Sequence, residues 1–359
     1  MKNKFLLLAG FALVLLLSAC LQEAKPQEKP GGSQKPATNE LAVHFIDVGQ
    51  ADATLLKFEE YTMLIDTGDW NSTAAVDYLK KQEIKKLDIV VGTHPDSDHI
   101  GQLERVVEQF EVGEVWMSGN ASTSNTFINA LKAIDETGTD YYEPRSGEVF
   151  DVGSLQVEVL YPEEITGKTN EESISLKLTY GEVDFVFTGD AGVKEEQAMI
   201  DGGKDLDAEI LHLGHHGSNT STSQPFLKAV SPEVAIYSAG SDNSYGHPHA
   251  EVIAATENAG ATVYGTDVNG TIVLETNGKT YDISMDKEGT VAEGKNRCID
   301  INLASSAELQ EVEGIGTSLA EAITKERPFK TIEELDKIKG IGKGKISAIK
   351  EQGLACVGE

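Results

Sequence analysis

Residues 93–101 read Thr-His-Pro-Asp-Ser-Asp-His-Ile-Gly, which sets two histidines and two aspartates within six consecutive positions. They follow directly on an apolar run, Leu87 to Gly92, that reads as a buried strand. The fold must therefore carry a core strand to an open edge and let it widen into a loop of ligand-type side chains. Extended backbone places His94, Asp96 and Asp98 at period-two spacing, so all three lean to one side, and His99 adds a fourth group at the turn. Imidazoles and carboxylates this close together are the donor set of a metal site.

Short apolar and alternating runs recur at Leu41 to Val48, Ala53 to Phe58, Thr62 to Ile65, Val115 to Ser118, Leu155 to Leu160, Ile174 to Tyr180 and Val183 to Thr188. Further runs follow at Glu209 to Leu213, Val234 to Ser238, Thr262 to Tyr264, Thr271 to Glu275 and Thr280 to Met285. They predict strands. Helical spacing at Thr73 to Lys81, Ile100 to Phe110, Thr126 to Thr137, Val193 to Asp201 and Ala250 to Asn258 predicts helices that cover the sheets, an α/β architecture. Ligand-type residues stand where strands end: Asp66 after Met63 to Ile65, Asp190 after Phe185 to Gly189, and His215 with His216 after Leu211 to Gly214. A glycine just before such a group relieves crowding at a rigid rim.

Taken together, Thr93 to Gly101, Thr188-Gly189-Asp190 and Gly214 to Ser218 resemble the metallo-β-lactamase superfamily. Phe45 to Ala53, Asn170 to Leu178, Tyr245 to His249 and Thr266 to Gly270 narrow the resemblance to the extracytoplasmic nuclease-like domain of the ComEC/Rec2 competence family, over roughly residues 41–285. It implies an αββα sandwich with a metal site at one edge. Carried over position by position, His94, Asp96 and Asp190 build a first site, and Asp98, His99, His215 and the shared Asp190 a second. The usual His-x-His-x-Asp-His motif has Asp96 in its second histidine place. A further histidine has no counterpart, since Asn170 to Ser173 offers only Asn170 or Ser173. Oxygen ligands favour a harder ion such as manganese, with zinc also admissible, so one or two divalent metal ions are expected. Such a site supports hydrolysis, with Asp98 orienting the water. His247 and His249 either donate to a phosphate or leaving group, or serve only the loop before the helix at Ala250. His44 and His212 fall inside strand patterns and read as core or supporting residues.

Between residues 300 and 352 a unit repeats: Val312-Glu313-Gly314-Ile315-Gly316 and Ile338-Lys339-Gly340-Ile341-Gly342 each sit between stretches of helical spacing, the last of them Thr331 to Ile338 and Lys343 to Gln352. Paired glycines let the chain turn tightly with amides exposed at a helix N-terminus, which suits a phosphate. The repeat resembles the tandem helix-hairpin-helix module of the ComEA family, a DNA-binding module, and so implies sequence-independent contact with DNA backbone through Gly314, Gly316, Gly340 and Gly342. Residues 337–350 carry Lys337, Lys339, Lys343, Lys345 and Lys350 with no acid among them, so Lys339, Lys343 and Lys345 are the expected phosphate contacts, whereas Glu311 and Glu313 burden the first hairpin.

The N-terminus has Lys2 and Lys4, an apolar stretch from Phe5 to Leu17, and Leu17-Ser18-Ala19-Cys20. It predicts a lipoprotein signal over residues 1–20 with Cys20 as the lipidated residue, and an extracytoplasmic protein anchored to the bacterial cell membrane. Residues 21–40 are rich in Pro, Gly, Gln, Lys and Glu and predict a flexible linker. The expected organisation is completed by a hydrolase domain over 41–290 and the hairpin module over 298–357, and beyond the signal no stretch is apolar and long enough to span a bilayer. Cys298 and Cys356 bracket the module; a disulfide between them would stabilise by about 4 kcal/mol on the chain-entropy view.

The formal charge is −29. Residues 297–359 hold nine Lys or Arg against eleven Asp or Glu, so residues 1–296 carry −27. In the absence of divalent cations that acidity repels a polyanion, and it weighs against tight, nonspecific DNA binding by the larger part. The leading expectation is a membrane-tethered, metal-dependent hydrolase, a nuclease or phosphodiesterase, acting on DNA held by the hairpin module. The alternatives are a metallo-hydrolase of small substrates and a noncatalytic DNA receptor that assists uptake.

Overall fold

The computed structural model describes residues 40–241, 243–289, 291, 299–310, 312–352 and 355–357. The expected signal segment, nearly all of the linker, Cys20, Cys298 and Glu311 lie outside the described residues.

In chain order the strands of the large part are β1 (Leu41–Phe45), β2 (Thr54–Phe58), β3 (Tyr61–Ile65), β4 (Lys86–Gly92), β5 (Glu111–Met117), β6 (Asp140–Tyr142), β7 (Val149–Val152), β8 (Leu155–Tyr161), β9 (Ser175–Tyr180), β10 (Val183–Phe187), β11 (Ile210–His212), β12 (Val234–Tyr237), β13 (Thr262–Gly265), β14 (Ile272–Thr276) and β15 (Tyr281–Met285). They form two sheets, ordered β15-β14-β1-β2-β3-β4-β5-β6 and β13-β12-β11-β10-β9-β8-β7. Side chains alternate between two apolar environments, which is why the strands read as near-continuous apolar runs. Leu56, Met63 and Ile65 face the core between the sheets, whereas Leu55 and Leu64 face an outer core under the helices Ala74–Lys81, Leu103–Gln109 and Asn125–Thr137. In the other sheet Phe185 and Phe187 face inward, and Val186 faces the core under Val193–Asp201, Gln224–Val230 and Ala250–Asn258. Helices thus cover both outer faces, giving the αββα sandwich. Truncating a fully buried residue such as Leu64 to alanine costs about 2–5 kcal/mol.

Every strand expected from the sequence is present. Two were not expected, β6 and β7, short elements in which no residue is fully buried. The helix Gln224–Val230, capped by the Ser223 side chain, also had no clear periodic signal.

Pairing positions the rim. Parallel β3 and β4 align Ile65 with Val91, so Asp66 emerges beside Thr93 and its backbone N–H reaches the Val91 carbonyl at 2.7 Å. Parallel β10 and β11 align Val186 with Leu211, which brings Asp190 and the two adjacent histidines to the same edge. The carboxyl ends of parallel strands are where open α/β sheets place their ligands.

Residues from Ile299 to Val357 form a fourth, separate core that includes Ile315, Ile323, Leu335, Ile341 and Ile349. The helices Thr317–Glu326 and Lys343–Gln352 follow the two glycine turns. Gly314 (φ +69°) and Gly340 (φ +105°) take left-handed backbone that other residues adopt only with strain. Between the hairpins, Ile332–Lys337 is a 3-10 helix rather than the α-helix that its spacing predicts. Cys356 is disulfide-bonded. No helix among the described residues is long and apolar enough to cross a membrane.

Candidate metal centre

Asp190 stands at the middle of the rim, 4% exposed, with histidines facing both of its oxygens. His94 Nε2 lies 3.6 Å and His215 Nε2 3.4 Å from Oδ2, while His99 Nε2 lies 3.3 Å from Oδ1. Asp96 Oδ2 is 4.0 Å from His94 Nε2, and Asp98 Oδ2 is 3.9 Å from His99 Nε2. The other five residues singled out as ligands from the sequence therefore gather around the sixth, the buried carboxylate of Asp190. Their grouping differs from what the resemblance implied. His215 sits on the Oδ2 side with His94 and Asp96, and the place beside Asp98 and His99 is taken by His216, whose Nε2 is 3.3 Å from Asp98 Oδ2.

The rings are held from behind. Asp66 accepts from His99 Nδ1 at 2.8 Å and from the Thr93 N–H at 2.8 Å, and both its oxygens meet the Thr93 hydroxyl. His94 Nδ1 lies 3.2 Å from Thr93 Oγ1 and from Ser173 Oγ. His215 Nδ1 meets Thr220 Oγ1 at 2.9 Å, and His216 Nδ1 donates to the Ser238 carbonyl at 3.0 Å. Fixing Nδ1 in each ring turns Nε2 inward, the usual arrangement around an ion. His215 and His216 both hold positive φ, +51° and +57°, a sparsely populated conformation that concentrates at functional sites.

Asp52, His99, Asp190 and His216, all buried, each place one ligand-type atom within 4.8 Å of the others'. Asp52 contributes from the rear: its oxygens face His216 Nδ1 at 3.5 Å, His99 Nδ1 at 3.9 Å and His212 Nε2 at 3.4 Å. His212 and His44 are buried and bonded to Ser238 and Tyr78, as their strand positions predict. At the position of the missing histidine, Asn170 faces the centre and donates to Asp190 Oδ2 at 3.2 Å, whereas Ser173 stands behind His94.

The donor chemistry suits a divalent cation. His94 Nε2, His99 Nε2 and Asp190 Oδ1 are buried and make no hydrogen bond to the protein, a costly arrangement unless an ion satisfies them. Burial, reinforced by His99, pushes His94 down to about 3 and keeps it neutral. Burial opposes the charge on His99, but Asp190, Asp66 and Asp98 outweigh it and raise its pKa well above the usual value. Burial likewise penalises Asp190, yet His99 and His94 hold its carboxyl well below the usual range. A cavity of about 540 Å³ opens beside this centre, lined by Asp190, His215 and Asn170 together with Lys168 and Lys194.

His247 lies over the cluster, its ring centroid 5.6 Å from that of His215 and 6.0 Å from that of His216. Gln50 Nε2 is 3.4 Å from its Nδ1. Burial and the neighbouring His216 lower its pKa to about 3. His249 instead accepts from the Asn219 N–H at 3.0 Å and so ties its loop. Gly101 permits the closest approach in the ligand loop: a Cβ there would lie 2.0 Å from the Trp70 nitrogen and 2.3 Å from the Ser97 carbonyl oxygen.

In the hairpin module the lysines divide. Lys345 Nζ donates to the Gly314 carbonyl at 2.7 Å, bridging the two hairpins. Lys350 pairs with Glu333 and Lys337 with Glu334, both at 2.8 Å. Among the described residues, Lys339 and Lys343 make no ion pair. A Cβ at Gly316 or Gly342 would meet nothing within 4 Å.

Residues 46–241 match the family described as the metallo-beta-lactamase superfamily, and residues 294–352 match the helix-hairpin-helix motif. The chain is 31% identical over 255 residues to "ComE operon protein 3" of Bacillus subtilis, covering 66% of this chain and 33% of that one. It is 28% identical over 237 residues to "Recombination protein 2" of Haemophilus influenzae, covering 64% and 28%. A "Deoxyribonuclease" of Thioalkalivibrio sp. is 42% identical over 67 residues, 19% of each chain. The chain thus spans about a third of the length of the competence and recombination relatives it matches. With a rim built from these motifs on an αββα sandwich, the chain belongs to the metallo-beta-lactamase superfamily, is ComEC/Rec2-like over its larger part, and carries a helix-hairpin-helix motif toward its C-terminus.

Proposed function

We propose that the protein is an extracytoplasmic, membrane-tethered metal-dependent phosphodiesterase that cuts DNA held by its helix-hairpin-helix module. The observation that carries this reading is the convergence of His94 Nε2, His99 Nε2 and Asp190 Oδ1, buried and without hydrogen bonds, beside a cavity that Asp190 lines. His94, Asp96, His215 and Asp190 Oδ2 would hold one ion, and Asp98, His99, His216 and Asp190 Oδ1 a second. A divalent ion bound there, manganese or zinc, supplies Lewis-acid polarisation of a phosphoryl oxygen and acidifies water for attack. Asp98, paired with His216, orients that water, and His247 faces the leaving group from above. Lys339 and Lys343, with the amides that follow Gly316 and Gly342, hold phosphates without reading sequence. Tethering rests on the sequence around Cys20.

The test is incubation of the purified chain with single- and double-stranded DNA plus manganese or zinc, beside His94→Ala and Asp98→Ala. Metal-dependent cleavage by the wild type and its loss in both variants is the expected result. Binding without cleavage under every metal condition would leave a DNA receptor in place of an enzyme. The charge of −27 on residues 1–296 favours a second reading, a hydrolase of small phosphodiesters. Turnover of bis(p-nitrophenyl) phosphate with no action on any polynucleotide would select it.

A further inference from the structure

Two of the largest exposed apolar side chains belong to residues joined to the metal centre, one through the backbone of the ligand loop and one through a stack of rings. Trp70 is 55% exposed, and its backbone N–H donates at 3.0 Å to the carbonyl of Ser97, the residue between Asp96 and Asp98. Tyr245 is 62% exposed and stacks on His247 with centroids 5.7 Å apart and planes at 22°. His247 stacks in turn on His216, which contacts Asp98. The loop that carries Asp98 is therefore tied through its backbone to the residue bearing one exposed aromatic, and Asp98 itself is linked to the other through a short stack of rings. Leaving two large rings open to water forgoes burial energy, and the sandwich itself needs neither. We propose that Trp70 and Tyr245 form a base-stacking subsite that lays an unpaired polynucleotide strand across the metal centre. This inference rests on the phosphodiesterase reading and adds what the substrate must look like.

Charge favours this mode of grip. The larger part carries most of a strong negative charge, so it gains little from phosphates and loses what it gains as salt rises. Stacking on an aromatic face depends on the base rather than on the phosphate, and every base has such a face. In a duplex both faces of each base are already occupied, so only a single strand or a frayed end can use these rings. Lys168 and Lys194 in the adjoining cavity make no ion pair among the described residues and are placed to follow the backbone of a strand so held.

The chain contains two tryptophans, and the other, Trp116, is 1% exposed, so quenching of tryptophan emission by a ligand reports Trp70. The test titrates the full chain, with manganese, with a cleavage-resistant phosphorothioate oligothymidylate four nucleotides long and with a duplex of the same chemistry. Saturable quenching by the single strand, without quenching by the duplex, is expected. Tyr245→Ala should shift that quenching curve to roughly 5- to 150-fold higher ligand, the span of one lost stacking contact. Trp70→Phe should preserve affinity measured by anisotropy of a labelled strand, and Trp70→Ala should weaken it over the same range. Equal quenching by duplex and single strand, or a curve unmoved by Tyr245→Ala, overturns the proposal. Cleavage of DNA with no quenching at all would sink the subsite and leave the phosphodiesterase standing, whereas quenching without cleavage would do the reverse.

Discussion

Asp66 is a carboxylate that never reaches the centre and yet should decide whether it binds metal. It is 2% exposed; one oxygen takes the Thr93 N–H at 2.8 Å and the other takes His99 Nδ1 at 2.8 Å. Asp66→Asn preserves shape but replaces one acceptor with a donor. The Thr93 N–H requires the amide oxygen on its side, so the new NH2 must face His99 Nδ1. His99 can then accept only at Nδ1, which moves its proton to Nε2, the nitrogen turned toward Asp190. A protonated Nε2 has no lone pair to give an ion. Losing a carboxylate behind a histidine ligand costs about 10- to 100-fold in metal affinity, roughly 1.4–2.7 kcal/mol, and the wrong tautomer places this case at the upper end. Burial raises the Asp66 carboxyl against the pull of His99, so the metal-free fold should survive removal of that charge. The assay is competition for zinc or manganese against a chromophoric chelator, with thermal unfolding as the control for folding. A variant whose affinity stays within about threefold of wild type would refute the argument that Asp66 sets the His99 tautomer.

Three further outcomes follow from the geometry. Gly101→Ala puts a methyl into the Trp70 backbone and should destabilise by about 3 kcal/mol or more, with loss of metal binding, as read from denaturant midpoints and metal content. His44, pushed down to about 4 by burial and then by Lys57, is favoured in its neutral form by folding. Its contribution is present above the unfolded value near 6.5 and is lost as pH falls toward 4, up to roughly 3 kcal/mol; urea unfolding at pH 7 and pH 4.5 should show a smaller pH difference for His44→Gln than for wild type. Gly342→Ala meets no atom within 4 Å, so the hairpin should fold normally while a phosphate loses its close approach. A melting temperature near wild type with roughly tenfold weaker DNA binding by anisotropy is expected, and unchanged binding would remove the second hairpin from the DNA interface.

The sequence made the ligand loop, Asp190 and nearly every core strand legible because each is a local pattern: apolar period two, then glycine, then a polar group. What it concealed was long-range or aperiodic. His215 and His216 are neighbours in left-handed backbone, where neither period two nor period 3.6 says which ring turns to which oxygen, so only His215 was singled out. Asp52 could not be recognised because its partners, His212 and His216, stand about 160 residues away. Lys345 matched a basic stretch but spends its ammonium on the Gly314 carbonyl, a contact between two copies of a repeat that no spacing within one copy reveals. The strands β6 and β7 were missed because half or more of each is exposed and none of it fully buried, leaving little apolar signal to read.

Asp66, His94, Asp98 and His99 extend from the first sheet, and Asp190, His215 and His216 from the second. Neither layer alone contains a usable centre. Whatever hydrolytic power the rim acquires is thus a property of the closed sandwich, absent from a chain still being made and from one whose layers have parted. Foldedness itself acts as the safety catch, because an unfinished molecule has no assembled ligand set.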